Sequence, residues 1–364
     1  MPVIRAAQDA GAAVLPVDVR LSPAERRALL SQARPTVIVD EDGARSARGV
    51  RIDPAIAFVV ATSGTAGRPR LAELPGDAIE AAVRASAIVL GAGREDRWLS
   101  CLPLSHIGGL LVVYRHLLLG APLTFRGRVT AGVMADLLDV RFTSMVPTQL
   151  TRLLDAGAEL RRLRAILVGG SRLDRALEGR AAAAGARVIP TYGMTETCGG
   201  VVYAGRPLPG VEVRASPSGE LLVRGPTLMR GYRLDEDATS AAFDSDGWLR
   251  TGDGGEVTPD GSVRAWGRLA EVIVSGGEKI WPADVEAALA DHPAVAAVVV
   301  SGAPDREWGQ RVVARVVPRK PEAPPSLESL REHAARTVAR HKLPREVVIV
   351  DHLPRTALGK IRRR

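Results

Sequence analysis

A loop rich in glycine and hydroxyl groups follows an apolar run near the start of the chain. The run IAFVV leads into TSGTAGRPR at residues 62–70. Backbone N–H groups and hydroxyls of such a loop can approach phosphate oxygens, and Arg70 adds a fork of donors. It is not a Walker A loop, because G-x-x-x-x-G-K-[ST] does not occur in the sequence. The loop therefore predicts phosphate binding, with an ordinary Ser/Thr/Gly turn as the alternative.

A second cluster of oxygen-bearing side chains is TYGMTET at residues 191–197, directly after the apolar run RVIP. Glu196 stands between two threonines. A carboxylate beside hydroxyls at the end of a strand suits a magnesium ion that itself grips phosphates. The aromatic ring of Tyr192 could stack on a base. The alternative interpretation is a turn with an exposed glutamate.

Two shorter motifs could contact a sugar. Thr251-Gly252-Asp253 offers a carboxylate that could accept hydrogen bonds from two ribose hydroxyls. Gly267-Arg268 follows some fifteen residues later and could donate to the same sugar. The alternative for the aspartate is an Asx turn, which is its commonest use in a tight loop.

The end of the chain offers a cation. The segment PRTALGKI occupies residues 354–361, and Lys360 follows a glycine in it. A lysine on a glycine-bearing turn is a mobile point charge, which suits a role at an anionic site. A solvated tail is the alternative.

The elements that must carry these motifs alternate between strands and helices. In the first 50 residues AAVLPVDV, PAERRALLSQA and PTVIVD predict a strand, a helix capped by Ser22 and a second strand, the signature of a βαβ unit. LRAILVGG and ALEGRAAAAGARVIPTYG repeat this order. The alternation predicts an α/β fold with mostly parallel sheets flanked by helices. Ligands of such sheets bind at the carboxyl ends of the strands.

The pattern changes from Gly210 onward. Short alternating strands separated by Gly, Pro and Asp turns predict a small β-rich antiparallel region. After Arg268 come EVIVSGGEKI, the helical segment PADVEAALADH and further strands, which predict a small α+β domain. We therefore expect a large N-terminal domain over residues 1–268 and a C-terminal domain over residues 269–364.

Composition excludes several classes of protein. The 364 residues are 46% hydrophobic and 25% charged, which is typical of globular rather than disordered chains. The two cysteines, Cys101 and Cys198, exclude a disulfide-dense scaffold and a four-cysteine zinc site. They suit a reducing compartment, so a cytoplasmic protein is expected. No clean apolar run of about 18 residues occurs, so no transmembrane helix is predicted.

The net charge of +8 raises the alternative of a nucleic-acid-binding protein. Residues 355–364 hold five basic side chains and no acid, so the rest of the chain carries only +3. Nucleic-acid binders usually combine a basic face with stacking aromatic residues, and aromatic residues are only 4% here. The tail suits a polyphosphate substrate equally well, and no specific nucleic-acid partner is expected.

Taken in order, TSGTAGRPR, YGMTET, TGD, GR and PRTALGK resemble the signature motifs of the adenylate-forming superfamily, which contains acyl-CoA synthetases, peptide-synthetase adenylation domains and luciferases. The resemblance runs from PVDVRLSPAERRALL to Lys360, almost the whole chain. It implies a small mobile C-terminal domain, and ATP, Mg²⁺ and coenzyme A as ligands. It also implies two half-reactions. A carboxylate and ATP give an acyl-adenylate and pyrophosphate, and a thiol, usually coenzyme A, then displaces AMP.

The resemblance assigns motif residues to parts of ATP. The residues implied at the β- and γ-phosphates are Thr62, Ser63, Gly64, Thr65, Gly67 and Arg70. Glu196 is expected to hold the magnesium ion, and Thr195 to contact the α-phosphate. Asp253 and Arg268 are expected to hold the ribose, with Tyr192 against the base.

Other residues are assigned to the acid and the thiol. Lys360 is expected to bridge the attacking carboxylate and the α-phosphate. His106 is expected at the acyl group, with a structural hydrogen bond in a loop as its alternative. The residues implied in acyl binding are Ser105, His106, Gly169, Gly170 and Gly193. The loop implied on the coenzyme A side contains Gly276 and Gly277.

Two segments narrow the resemblance. LPLSHIGGL and YGMTETCGGVVYAGRPLPGVEV look like 2-succinylbenzoate–CoA ligases of menaquinone biosynthesis, and the short stretch before the phosphate loop resembles their compact bacterial versions. The second carboxylate of that substrate needs donors, for which Ser105 and Arg115 are candidates. Cys198 is expected to be a small buried residue rather than a nucleophile. A ligase for another aryl acid or a fatty acid is the rival activity.

Two residues depart from the superfamily pattern. The phosphate loop ends in Arg70 where lysine is usual, and arginine keeps the charge, so activity is expected to survive. Ala270 stands at the hinge position, where aspartate or lysine is usual. These departures leave a non-catalytic homologue as a third interpretation. The short first segment also implies an exposed sheet edge that a second subunit would cover, which predicts a homodimer.

Overall fold

The computed structural model of the protein describes residues 2–62, 69–127, 129–136 and 138–353. The α-helices in these ranges are α1 (Pro2–Asp9), α2 (Pro23–Ala33), α3 (Gly76–Leu90), α4 (Ile107–Leu119), α5 (Ala131–Asp136), α6 (Pro147–Asp155), α7 (Arg175–Ala183), α8 (Glu236–Ala242), α9 (Pro282–Ala290) and α10 (Leu327–Ala334). None of these helices is both long and apolar enough to cross a membrane.

The strands of the described residues fall into five sheets. The strands that begin before residue 200 are β1 (Val37–Asp40), β2 (Gly43–Ser46), β3 (Ile56–Ala61), β4 (Leu71–Pro75), β5 (Arg97–Ser100), β6 (Leu123–Phe125), β7 (Val140–Met145), β8 (Ala165–Val168), β9 (Val188–Met194) and β10 (Gly199–Tyr203). The remainder are β11 (Arg206–Pro207), β12 (Glu212–Ala215), β13 (Glu220–Arg224), β14 (Gly231–Tyr232), β15 (Leu249–Val257), β16 (Val263–Arg268), β17 (Ile273–Ser275), β18 (Glu278–Ile280), β19 (Val295–Asp305), β20 (Gly309–Pro318) and β21 (Glu346–Ile349).

The chain divides into two compact units. The first comprises Met1–Leu173, Leu177–Val213 and Leu222–Arg250. The second comprises Asp174–Ala176, Arg214–Leu221 and the chain from Thr251 onward. This grouping does not test the predicted domain boundary after residue 268, which stays a prediction.

A seven-stranded sheet belongs to the first unit. Its strand order is β11-β10-β9-β8-β7-β5-β6. The five strands from β9 to β6 pair in parallel, whereas β10 and β11 add antiparallel at one edge. All four residues of β8, AILV, are buried, as expected for a central parallel strand covered on both faces. The predicted α/β class with a large parallel sheet is confirmed.

Three hydrophobic clusters of described residues stabilise the first unit, and the smallest packs α2 against β3 and β4. The two larger clusters involve α3, α4, α6 and α7. One joins α3 and α4 to the β3–β4 hairpin and contains Phe58, Ile79 and Leu110. The other joins β5, β7 and β8 to α6 and α7 and contains Leu150 and Ile166. Helix α3 buries apolar residues at helical spacing, which gives it a face for the first core.

The βαβ unit predicted for the first 50 residues is wrong. The predicted first strand is reduced to one isolated bridge between Val14 and Phe58. Strand β1 pairs antiparallel with β2 and does not enter the large sheet. The predicted helix does form as α2. It begins after Ser22, whose hydroxyl accepts from the Glu25 N–H while the Glu25 carboxylate accepts from the Ser22 N–H.

The antiparallel region predicted after Gly210 is present as a four-stranded sheet of order β12-β13-β15-β16. The second unit contains a five-stranded sheet of order β18-β17-β20-β19, with β21 parallel to β20. Helices α9 and α10 share one core with this sheet, which contains Val285, Leu289 and Leu330. Helix α10 covers only the first 8 residues of the helix predicted from Leu327.

Candidate active site

The predicted phosphate loop connects β3 and β4, which pair antiparallel as a hairpin. The Thr62 N–H donates to the Arg70 carbonyl at 2.7 Å, so the two ends of the loop are held together. Ser63, Gly64, Thr65 and Gly67 lie outside the described residues, and their assignment to phosphates stays a prediction. The hairpin differs from the predicted parallel strand, but it still presents the loop at the end of β3.

Arg70 and Glu196 meet at one tyrosine. The guanidinium carbon of Arg70 lies 5.2 Å from the centre of the Tyr232 ring. The Tyr232 hydroxyl donates to Glu196 Oε1 at 2.9 Å. Burial, together with the charge of Glu196, raises the pKa of Tyr232, so the hydroxyl keeps its proton and acts as the donor. The phosphate-loop cation and the predicted magnesium ligand are therefore joined through one side chain that the sequence analysis did not single out.

The turn that carries Glu196 is held by the hydroxyl of Thr197, one of its own residues. Strand β9 ends in a 3₁₀ turn, Thr195–Thr197, and Cys198 then adopts a left-handed conformation with φ of 50°. Thr197 Oγ1 accepts from the Met194 N–H at 2.9 Å and donates to the Gly199 carbonyl at 2.7 Å. The turn is thus closed from inside, which leaves Glu196 to face Tyr232.

Two glycines of the predicted acyl pocket are required by close approach. A Cβ at Gly193 would lie 2.0 Å from the Gly199 carbonyl oxygen, because β9 and β10 approach closely there. A Cβ at Gly169 would lie 2.5 Å from Thr191 Oγ1. Gly170, with φ of 81°, turns the chain after β8. These glycines therefore lie at the ends of neighbouring parallel strands, where ligands of such sheets bind.

Ser105 and His106 lie between β5 and α4, with Asp18 beside them. Ser105 Oγ donates to Asp18 Oδ2 at 3.4 Å, and His106 Nε2 is 4.0 Å from the same oxygen. Arg20 donates to both oxygens of Asp18, which lowers the pKa of that carboxyl to about 2. Burial lowers the pKa of His106, which is therefore neutral at pH 7. Asp18 is not among the residues predicted from the sequence, where its only signal is the run PVDVR.

The structure places Arg115 in a closed core. Arg115 is 2% exposed. Its guanidinium donates to Ser86 Oγ at 2.9 Å and lies 4.4 Å from the centre of the Trp98 ring. Ser86 Oγ also bonds to the Tyr203 hydroxyl. This environment argues against Arg115 as a donor to a second substrate carboxylate. The other candidate, Ser105, has its hydroxyl directed to Asp18.

The predicted ribose residues are brought together in the second unit. Asp253 and Arg268 face each other across β15 and β16, with Arg268 Nε 3.2 Å from Asp253 Oδ1. Arg268 also donates to the Thr251 carbonyl at 2.8 Å, and the Asp253 N–H donates to Thr251 Oγ1 at 3.0 Å. The Asp253 residue is only 8% exposed. The pairing supports a shared role for the two residues, and their ribose assignment stays a prediction.

Gly276 and Gly277 form the turn between β17 and β18. Their φ angles of 59° and 83° are those of a two-residue hairpin turn, which strongly favours glycine. The Gly276 N–H donates to the Trp308 carbonyl at 2.9 Å, and a Cβ on Gly276 would lie 2.9 Å from the Trp308 ring. The loop predicted on the coenzyme A side is therefore a tight two-residue turn that packs against Trp308.

Two further predictions have different outcomes. Lys360 lies outside the described residues, so its role stays a prediction. Cys198 is fully buried, and burial raises the pKa of its thiol, which agrees with the expectation that it is not a nucleophile.

A magnesium ion fits Glu196 only with help from a second ligand. Within the described ranges no group of three or more His, Cys, Asp and Glu could hold a metal. The Glu196 carboxylate supplies hard oxygen atoms, and accepting one hydrogen bond from Tyr232 leaves lone pairs for a cation. Magnesium commonly takes one or two carboxylates and completes its shell with phosphates and water. The donor set therefore fits a magnesium–nucleotide complex.

Two family models match the sequence, the AMP-binding enzyme over residues 46–233 and the AMP-binding enzyme C-terminal domain over residues 284–360. The chain belongs to the AMP-binding enzyme family. The adenylate-forming resemblance predicted from the motifs is confirmed.

Individual members of the AMP-binding enzymes are similar over most of the chain. A probable 2-succinylbenzoate–CoA ligase of Mycobacterium tuberculosis is 40% identical over 329 residues, covering 86% of this chain and 85% of that protein. An indoleacetate–CoA ligase of Aromatoleum aromaticum is 34% identical over 357 residues, covering 90% and 70%. The solved structure of an O-succinylbenzoate coenzyme A synthetase from Bacillus subtilis, in complex with ATP and magnesium ion, has a TM-score of 0.82 at 31% identity, covering 99% and 80%.

Proposed function

We propose that the chain is a 2-succinylbenzoate–CoA ligase of menaquinone biosynthesis. It joins the acid to ATP with release of pyrophosphate, and then transfers the acyl group to coenzyme A with release of AMP. The observation that carries the proposal is that Arg70 and Glu196 both contact Tyr232. The chain is also 40% identical to a relative with that name. The ligase activity predicted from the sequence agrees with the names of its relatives.

The first half-reaction requires two anions to approach each other. A carboxylate oxygen of the acid attacks the α-phosphorus of ATP, and pyrophosphate leaves with the electron pair of the broken P–O bond. Catalysis consists mainly of positioning and charge neutralisation. Arg70 contributes a guanidinium for the β- and γ-phosphates, and Thr195 contributes a hydroxyl for the α-phosphate. Glu196 would hold magnesium, which supplies positive charge to the phosphate oxygens when bound.

Other parts of ATP are assigned to residues with suitable groups. Asp253 accepts from the ribose hydroxyls and Arg268 donates, which their 3.2 Å pairing supports by keeping both groups oriented. Tyr192 provides an aromatic face for the base. These assignments are proposals of the same kind as that of Glu196.

The second half-reaction brings the thiol of coenzyme A to the acyl-adenylate. The thiol gives its proton to solvent, its sulfur forms a bond to the acyl carbon, and AMP leaves with the electron pair of the broken acyl C–O bond. We assign the Gly276-Gly277 turn to the coenzyme A side, because a Cβ at Gly277 would meet nothing within 4 Å and a thin ligand could approach there. The proposal includes a mobile C-terminal domain over residues 269–364, which carries Lys360 to the α-phosphate in the first half-reaction only.

The acyl pocket is proposed around Ser105, His106 and the glycines at the strand ends. His106 Nε2 is buried and has no hydrogen-bond partner among the described residues. A buried polar atom without a partner is costly, so an acceptor on the substrate would stabilise this position. A neutral acceptor on the substrate, such as its keto oxygen, suits this position better than a carboxylate, because Asp18 Oδ2 already lies 4.0 Å from His106 Nε2.

A ligase for another aryl acid is the second candidate. The observation that favours it is the 34% identity to an indoleacetate–CoA ligase, which acts on an acid with one carboxylate. The two candidates differ in whether the pocket accommodates a second anionic group.

The test is to incubate the protein with ATP, Mg²⁺, coenzyme A and single acids, and to identify products by mass spectrometry. The panel contains 2-succinylbenzoate, benzoate, indoleacetate and a fatty acid. The proposal predicts a thioester from 2-succinylbenzoate with the highest kcat/KM of the panel. A thioester formed from another acid, without one from 2-succinylbenzoate, would support the second candidate.

A cytoplasmic location and a homodimer are also proposed. The two free cysteines suit a reducing compartment. Light scattering after size-exclusion chromatography tests the homodimer, which would have twice the mass of one chain. A single-chain mass at micromolar concentration would contradict it.

A further inference from the structure

Residues 229–233 connect the turn that carries Glu196 to strand β4, which begins directly after Arg70. The Met229 N–H donates to the Glu196 carbonyl at 2.8 Å. Strand β14 pairs with β4, which places Tyr232 opposite Ala72, two residues after Arg70. The Arg233 N–H donates to the Leu71 carbonyl at 2.8 Å. The backbone on both sides of Tyr232 is therefore fixed, so its ring and hydroxyl have defined positions.

We propose that Tyr232 is a positioning residue that holds the metal carboxylate and the phosphate-loop cation in place before ATP arrives. Its hydroxyl fixes one oxygen of Glu196, and its ring supports the guanidinium of Arg70. The inference rests on the proposed assignment of Glu196 to magnesium. It adds a residue that touches neither metal nor nucleotide in that assignment and acts through two that do.

The physical argument is one of preorganisation. A free glutamate side chain loses rotamer entropy when it binds a metal, and a hydrogen bond from a fixed tyrosine reduces that loss. Hydrogen bonds to metal-binding carboxylates typically change metal affinity about 10- to 100-fold when removed.

The same residue gives a reason for arginine at position 70. A guanidinium is planar and stacks on an aromatic face, whereas a lysine ammonium is a strongly hydrated point charge. Tyr232 provides that face at 5.2 Å. The Tyr232 ring therefore orients the guanidinium of Arg70 at the end of the loop. It would not orient a lysine ammonium in the same way.

The decisive experiment measures ATP binding by calorimetry as Mg²⁺ is varied, with neither acid nor coenzyme A present. Tyr232→Phe keeps the ring and removes the hydroxyl. We expect the Mg²⁺ concentration for half-maximal tightening of ATP binding to rise about tenfold. ATP binding in EDTA should change much less than the Mg²⁺ dependence, because Tyr232→Phe keeps the ring beside Arg70 and removes only the interaction of its hydroxyl with the guanidinium.

The matched control is Tyr203→Phe. Tyr203 also loses a hydroxyl that bonds to side chains, but its partners are Ser86 and Arg115 rather than Glu196. We expect its Mg²⁺ dependence to match wild type. Equal shifts in the two tyrosine variants would show a general loss of packing and would overturn the proposal.

A double variant separates positioning from a merely structural role. If Tyr232 acts through Glu196, then Tyr232→Phe should add no further shift in the Glu196→Gln background, because coupled residues are not additive. Full additivity overturns the proposal. A normal Mg²⁺ dependence in Tyr232→Phe beside an altered one in Glu196→Gln overturns it too, and leaves the metal assignment standing. A normal dependence in Glu196→Gln overturns both.

The ring contact has its own variant. Tyr232→Leu removes both the hydroxyl and the aromatic face, so we expect weaker ATP binding in EDTA than in Tyr232→Phe by about two- to fivefold. Far-UV circular dichroism and melting temperature verify the fold of each variant. Equal ATP affinity of the two variants in EDTA would remove Arg70 from the proposal.

Discussion

Glu196 provides the most direct test of the proposed site at the scale of single residues. Glu196→Gln keeps the size of the side chain, but a neutral amide offers one oxygen and no charge to a cation. We expect the Mg²⁺ concentration for half-maximal pyrophosphate release to rise at least tenfold, with the melting temperature nearly unchanged. The assay is pyrophosphate release across a Mg²⁺ series. A curve that overlays wild type would show that Glu196 does not hold the metal.

Asp18 makes a prediction about stability and pH. Its pKa is about 2 in the folded protein because Arg20 donates to it, against an ordinary value of 3.8. The folded state thus binds protons more weakly than the unfolded state. The stabilisation is fully present above about pH 4 and is lost as the pH falls through 2.

We therefore expect Asp18→Asn to be less stable than wild type by about 1 kcal/mol at pH 7, a modest value because the Arg20 side chain is half exposed. The difference should shrink between about pH 4 and pH 2. Urea unfolding at several pH values measures it. A difference that is constant with pH would show that Asp18 acts by packing rather than by charge.

Some residues of the site could be predicted from sequence and others could not. Arg70 and Glu196 belong to dense clusters of polar residues at strand ends, where chain-local chemistry is visible. Tyr232 is one aromatic residue separated from Glu196 by 36 positions, and only the pairing of β14 with β4 brings it there. Asp18 is similarly remote from His106. Contacts made by long-range pairing leave no signal at the residue itself.

At the scale of elements, apolar runs identify strands but not their partners. The run at β1 was interpreted as a strand of the parallel sheet, yet Val37 and Val39 are 54% and 49% exposed. The pairing of Asp40 with Gly43 leaves only two residues for the turn. Glu41 and Asp42 form that turn, and Gly43 follows it with φ of 112°. A short polar turn closed by glycine indicates a hairpin, and it outweighs the apolar run as a guide to topology. Strands such as β8 were predicted correctly because a helix follows each one.

The close approach of β9 and β10 gives a prediction for Gly193→Ala. The added Cβ would meet the Gly199 carbonyl oxygen at 2.0 Å, so the backbone must shift. We expect a loss of about 1–3 kcal/mol in unfolding free energy, together with reduced ATP binding, since Glu196 follows the shifted strand. Urea unfolding and calorimetry measure the two effects.

Gly179→Ala is the matched control for this element. Gly179 lies within α7, and a Cβ there meets nothing within 4 Å. Alanine in a helix interior should raise stability by about 0.5–1 kcal/mol. If Gly193→Ala behaved like Gly179→Ala, the approach of the two strands would not constrain the site.

At the scale of the whole molecule, one chain must catalyse two consecutive reactions, adenylate formation and transfer to coenzyme A. The family model for the C-terminal domain begins at residue 284, and the second compact unit includes the chain from Thr251 onward. Neither observation reports a motion. The prediction of a boundary after Arg268 rests on the α+β order of strands and helices that follows this residue, and kinetics can test it.

Lys360 separates the two half-reactions. Its ammonium is proposed to meet the attacking carboxylate and the α-phosphate together, so it stabilises the transition state more than either ground state. Lys360→Ala should therefore reduce adenylate formation about 10²- to 10³-fold. Coenzyme A transfer from synthetic acyl-adenylate should be nearly unchanged, because the Gly276-Gly277 turn is proposed to face the thiol in that step.

Two further variants test whether the effect belongs to the ammonium of Lys360 itself or to any positive charge in the same domain. Lys360→Arg should restore little activity, because a planar fork does not replace a compact ammonium in a tight site. Lys320→Ala removes an equal charge from an exposed position in the same C-terminal domain, and both half-reactions should stay at wild-type rates. Equal loss of both half-reactions in Lys360→Ala would make Lys360 a structural residue. The adenylate would then have to form and react in one domain arrangement, and a boundary after Arg268 would have no role in catalysis.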